Sequence, residues 1–197
     1  MKPRRLLLAG SGLALAVLLV IGLVQLAGGT STPAGSALTP AEMQARLSGS
    51  PPQLAALHGQ ADELLDGGLP ALRARLAALH GRPVVINKWA SWCGPCRAEF
   101  GVFQAVSVKR GRQVAFLGID SGDTGRGEPE AFLRRFPVSY PSYFDPGGQA
   151  GEAITEGSNV TPVTVFIDSR GKTFVRQGPY PSAAKLEADI NRYAVAG

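Results

Sequence analysis

Two cysteines, Cys93 and Cys96, are the only ones in the chain, and Gly94 and Pro95 separate them. With Trp92 in front they read Trp-Cys-Gly-Pro-Cys. A strand-like run precedes this segment and a helix-like run follows it. That placement puts Cys93 at a helix N-terminus, where unpaired amides and the macrodipole favour a thiolate. One helical turn brings Cys96 within disulfide reach of Cys93. Cys93 can then attack a partner disulfide, and Cys96 can resolve the mixed disulfide that forms. Pro95 fits the first turn because its missing N–H is not needed there.

Other uses of the pair are weaker. Two thiols cannot ligate an iron–sulfur cluster or complete a four-thiolate zinc site. His58 and His80 both lie upstream without finger spacing, and Arg97 stands where haem attachment requires histidine. A purely structural bridge over so small a loop adds little to a chain long enough to bury its own core. No metal or other cofactor is expected.

The elements that must position the pair can be read from pattern. Val84 to Trp89 is a β-branched run, and Pro95 to Lys109 is helical with Phe100, Phe103 and Val106 on one face. Gln113 to Ile119 predicts a second strand, Glu130 to Phe136 a helix, and Pro141 to Phe144 a short extended piece. Val163–Ile167 and Thr173–Gln177 predict a hairpin, and Ser182 can cap a last helix reaching about Tyr193. Upstream, Leu54–Leu65 and Leu69–Leu79 read as helices. The expected fold is α/β, a mixed central sheet with helices on both faces.

The segment NKWASWCGPCRAEF, residues 87–100, resembles the active-site segment of thioredoxin-fold proteins. It is most similar to the membrane-anchored, extracytoplasmic thiol–disulfide oxidoreductases of the cytochrome c maturation type, over residues 81–193. The resemblance implies a thioredoxin-like fold with a family-type insert near 127–148. It makes Cys93 the exposed nucleophile and Cys96 the resolving thiol, with Trp92, Gly94 and Pro95 shaping the site. Thr161-Pro162 matches the family's cis-proline, whose preceding residue pairs with substrate backbone. Asn87 takes the place of the proton-accepting acid of cytoplasmic thioredoxins. It orients a hydrogen-bond network there, or is simply a polar residue satisfied beneath the helix start. Glu99 matches an acidic residue that relays protons from Cys96; the alternative is a solvated first-turn glutamate. Lys88 departs from the family's apolar residue and is expected to snorkel from the strand end; the alternative is that it lies near enough to favour the thiolate. The segment 86–93 lacks the proline and the threonine or serine of a peroxiredoxin site.

Leu6 to Val24 carries no charge, and as a helix it rises about 28 Å, close to the hydrocarbon core of a bilayer. Lys2, Arg4 and Arg5 precede it and supply three of the net +5 charges. This asymmetry predicts a cytoplasmic N-terminus and an extracytoplasmic remainder. Residues 1–27 are thus expected to form a membrane anchor or signal segment. Residues 28–53, rich in Gly, Ser, Thr and Pro, form a flexible linker, and 54–197 one domain. The residual charge is too small to suggest nucleic acid as a partner.

The expected function is reduction of protein disulfides, apocytochrome c among them, by a single-pass cell-membrane protein recharged by a membrane thiol donor. The alternatives are a dithiol oxidase or isomerase for secreted proteins, and a non-catalytic adaptor or chaperone using the same groove.

Overall fold

The structure, a computed structural model, describes residues 38–196. The expected membrane segment, and the expected linker up to residue 37, lie outside the described residues. In chain order the elements are α1 (Pro40–Arg46), α2 (Pro52–His58), β1 (Leu64–Leu65), α3 (Gly68–Ala78), β2 (Val84–Trp89) and α4 (Gly94–Arg110). They continue with β3 (Ala115–Ser121), α5 (Gly127–Arg135), β4 (Ser142–Asp145), α6 (Gln149–Ile154), β5 (Val163–Ile167), β6 (Thr173–Gln177) and α7 (Ala183–Ile190). A π-helical turn over Asn191–Val195 follows α7.

The strands form one sheet in the order β1-β4-β3-β2-β5-β6. β2, β3, β4 and β1 run parallel, while β5 is antiparallel to β2 and β6 to β5. Every residue of β2 is buried, which matches its near-continuous apolar run. Its side chains alternate between the two faces. Val85 and Trp89 join Phe100 and Phe103 of α4, Phe132 of α5 and Leu186 and Ile190 of α7. Val84 and Ile86 join Leu54 and Leu57 of α2 and Leu72 of α3. Each such apolar side chain contributes about 1.5–3 kcal/mol when fully buried. The mixed sheet with helices on both faces is as the sequence predicted.

Trp89 locks the centre of the sheet. Its ring lies 5.0 Å from Phe132 and 5.2 Å from Phe100, and its indole N–H donates to Ser142 Oγ at 3.1 Å. Gly118 makes room for that bond. A Cβ there would fall 2.1 Å from Ser142 Oγ and 3.0 Å from Trp89 Nε1.

Two expectations need correction, and one element was not expected. The linker expected through residue 53 is helical in its second half. Thr39 and Glu42 form a reciprocal capping box, Pro40 opens α1, and Met43 and Leu47 are buried. Gln104 of α4 also clasps both the N–H and the carbonyl of Leu38. The helix expected over Leu54–Leu65 stops at His58. Asp62 adopts φ 61°, its carboxylate accepts from the Val138 N–H, and Leu64–Leu65 pair with β4 as a strand. No element was expected over 149–154, where α6 packs Ala150 into the core. The helix upstream of β2 is present as α3, and the segment expected as an insert forms α5 and β4.

Candidate functional site

The strand–turn–helix from β2 to α4 delivers the cysteines. Cys93 is the N-cap of α4, with extended φ −76° and ψ 109°, and its Sγ accepts from the Cys96 N–H at 3.1 Å. Cys93 and Cys96 are joined in a disulfide, with Cα atoms 5.3 Å apart. Cys93 keeps a trace of exposure and Cys96 has none. The amide of Cys96 therefore points at the Cys93 sulfur, as the helix-terminus argument requires for a stabilised thiolate.

The loop carrying the pair is held from three directions. Asp123 accepts from both the N–H and the hydroxyl of Ser91, at 2.7 and 2.6 Å. Arg97 donates to the Ser91 carbonyl at 2.9 Å. Trp92 is 62% exposed, and its indole N–H donates to the Gly122 carbonyl at 3.2 Å. Gly122 has φ 129°, and a Cβ there would press on the Trp92 ring at 3.2 Å. Glycine at 122 thus gives Trp92 a seat.

Glu99 lies one helical turn beyond Cys96 and is wholly buried. One carboxyl oxygen accepts from the Tyr180 N–H at 2.9 Å, and the other has no partner. Burial pushes the carboxyl up to about 7, against the pull of the Tyr180 N–H, Asn87 and Arg176. Asn87 is wholly buried beneath the helix start and bears on both Glu99 and the Tyr140 hydroxyl. Its own amide atoms close no hydrogen bond of good geometry. Glu99 is therefore not a solvated first-turn residue, and Asn87 is not a satisfied one.

Thr161-Pro162 is a cis peptide. Val163 pairs with Lys88, so Pro162 follows in register at the Trp89 end of β2, where the chain turns toward Cys93. Thr161 and Trp92 line one groove of about 460 Å³, whose floor and rim include Lys88, Ser121 and Glu152.

Several residues of the site were not legible beforehand. Asp120 stands next to last in β3 with both oxygens unpartnered, and its carboxyl is pushed up to about 9 by burial, then by Asp123 and Asp145. A protonated Asp120 beside Asp123 is the arrangement expected when two carboxyls share a dry site. The sequence signal was an acidic residue near the end of a buried strand. Lys88 does not snorkel to water. It is 3% exposed, and its ammonium donates to the Ser158 carbonyl at 2.7 Å. No cluster of metal-ligating side chains occurs among the described residues.

A central mixed sheet, a dithiol pair capping the helix after its inner strand, and a cis-proline beside that strand end define a thioredoxin-like protein with a disulfide centre. Residues 66–190 match the Redoxin family, and the chain belongs to it. It is 32% identical over 141 residues to a thiol:disulfide interchange protein DsbE of Pseudomonas fluorescens biotype C, covering 70% of each chain. A DsbE of Allochromatium vinosum is 32% identical over 58% of this chain and 64% of its own. The chain spans between 50% and 58% of the length of several further curated relatives. The fold is shared with a thioredoxin family protein of Chlorobium tepidum TLS at TM-score 0.54 and 24% identity, over 59% of this chain and 83% of that one.

Proposed function

We propose that this chain is a thiol–disulfide oxidoreductase that reduces protein disulfides, working outside the cytoplasm from a single membrane anchor. The observation that carries the reading is the Cys93–Cys96 disulfide at the N-terminus of α4, with Glu99 one turn beneath it. In the reduced protein, the Cys93 thiolate attacks a partner disulfide, forming a mixed disulfide and releasing one partner thiolate. The Cys96 thiol gives its proton to the Glu99 carboxylate and attacks the Cys93 sulfur. That step releases the second partner thiolate and leaves Cys93–Cys96 oxidised, so two electrons pass to the partner. A carboxyl near 7 suits this proton transfer, because it is populated in both forms at neutral pH.

Gly94-Pro95 is the dipeptide of reducing thioredoxins, whose potential is about −270 mV against about −120 mV for the strongest bacterial oxidant. The relatives named thiol:disulfide interchange protein DsbE support thiol–disulfide exchange as the reaction. The run Leu6 to Val24 and the basic residues before it support the anchor and its orientation. Apocytochrome c, with its paired haem-attachment cysteines, is the partner proposed. A membrane thiol donor would recharge the site.

The full chain in detergent is expected to reduce insulin disulfides with dithiothreitol recycling, and Cys93→Ser to abolish it; retained activity overturns the mechanism. A potential below about −200 mV is expected, and one near −120 mV would reverse the direction. Protease applied to intact spheroplasts should cleave the domain; protection would overturn the location. Cells carrying Cys96→Ser should accumulate a mixed disulfide with apocytochrome c, and its absence from the trapped species removes that partner.

A further inference from the structure

Lys88 is a cation in the central strand of the sheet. Its ammonium has three donors, and one goes to the Ser158 carbonyl. Burial pushes its pKa down, against the through-space pull of Asp145 and Glu152. No carboxylate among the described residues is within ion-pair distance of it. Both Asp145 oxygens are already taken by the N–H groups of Ala150 and Gly151, at 3.0 and 2.8 Å. Burial of a charge with unfilled donors is costly, yet the fold reserves space for this one. A Cβ at Gly151 would fall 3.0 Å from Lys88 Cε and 2.5 Å from Ser121 Oγ.

The groove that Lys88 lines also includes Trp92, which precedes Cys93, and Thr161, which precedes the cis-proline. Its walls are largely glycine and hydroxyl or amide side chains, with Trp92 and Pro146 as the apolar members. Such a lining offers little to a leucine or phenylalanine. Glu152, exposed at the rim, disfavours a carboxylate.

We propose that Lys88 is a specificity-determining residue: its ammonium donates to a neutral oxygen acceptor, an asparagine or glutamine side chain, that flanks the target cysteine in the partner protein. The assignment rests on the oxidoreductase reading above.

The test uses the full chain carrying Cys96→Ser and synthetic peptides with one cysteine linked to thionitrobenzoate. Cys93 thiolate attacks the peptide sulfur, the Cys93–peptide disulfide forms, and thionitrobenzoate leaves as the coloured thiolate. Glutamine and leucine, nearly equal in size, are compared at each flanking position. At one or more positions, glutamine should give mixed disulfide about tenfold faster, the factor of one modest hydrogen bond to a charged group. Lys88→Met should abolish that preference. The Lys88 Nζ resonance in the ¹⁵N-lysine protein should shift in the glutamine adduct and not in the leucine adduct, a readout that needs no substitution at 88. Equal rates at every position, a preference that survives Lys88→Met, or a resonance indifferent to the side chain overturns the role of Lys88. Absence of mixed disulfide with every peptide overturns the oxidoreductase reading instead.

Discussion

Asn87 and Lys88 are neighbours in β2 and point to opposite faces of the sheet, Asn87 between Val85 and Trp89 on one face and Lys88 after Val84 and Ile86 on the other. On the Asn87 face the polar groups are sealed in. Glu99, Asn87 and Tyr140 lie together under α4 with unpartnered atoms, and the Glu99 carboxyl is held near neutrality. On the Lys88 face the polar group lies just as deep but at the floor of an open groove, with one bond made. In the proposed mechanism the sealed face holds and passes a proton. The open face is the one proposed to meet another chain. One strand serves both because its side chains alternate.

The contrast predicts a descending series of effects. Asp123→Ala strikes the clamp at the mouth of the sealed face and leaves the Ser91 N–H and hydroxyl unpaired. Two hydrogen bonds to a charged group are lost, so denaturant unfolding should show a loss of about 4 kcal/mol. A loss below 1 kcal/mol would mean that the clamp does not hold the loop.

Glu99→Gln tests the proton on that face. The folded carboxyl titrates near 7 and the unfolded one at 4.5, so the folded state binds the proton more tightly. Its contribution is therefore fully present below about 4.5 and is lost as pH rises through 7, a change of roughly 3 kcal/mol. Relative to Glu99→Gln, the wild type should become progressively less stable across that window and then run parallel above it. Parallel curves throughout would place Glu99 in contact with water. The same variant should remove an inflection near pH 7 from the rate at which Cys96 resolves a mixed disulfide.

Lys88→Met should behave oppositely to the sealed-face changes. A buried charge is exchanged for an apolar chain of similar length, so stability should move by about 1 kcal/mol or less, in either direction. A loss as large as that of Asp123→Ala would make Lys88 a structural pillar and break the contrast. The smallest effect is expected from Trp92→Ala. Its hydrogen bond is exposed, so unfolding should change by about 0.5 kcal/mol. Exchange with insulin should slow more than exchange with dithiothreitol, because only the larger substrate fills the groove.

The chemistry of the centre was legible because it is local: strand, Cys-Gly-Pro-Cys and helix are contiguous, and their periods are clear. β5, β6 and the cap at Ser182 were equally plain. The supports were not, because they join residues far apart in the chain. Asp123 reaches Ser91 across 32 positions, and Glu99 meets the Tyr180 amide across 81. β1 has two residues and no period to detect, so Leu64–Leu65 merged with the helical run before it. α1 could have been found, since Thr39-Pro40-Ala41-Glu42 carries a capping box with proline in the first turn. The Gly, Ser and Pro around it outweighed that signal. Glu99 and Thr161-Pro162 were placed by resemblance, and the structure supplies what resemblance lacked, the burial of one and the strand-end position of the other.

The fit of Gly118 beneath the Trp89–Ser142 bond has a consequence for natural variation. No side chain can enter at 118 while Trp89 and Ser142 stand, and loss of the Ser142 hydroxyl strands a buried indole N–H. These three positions should therefore drift as a linked set among descendants of this sequence. A lineage with alanine at 118 is expected to show a smaller residue at 89 or 142 as well, and independent substitution at the three sites would contradict the packing described here.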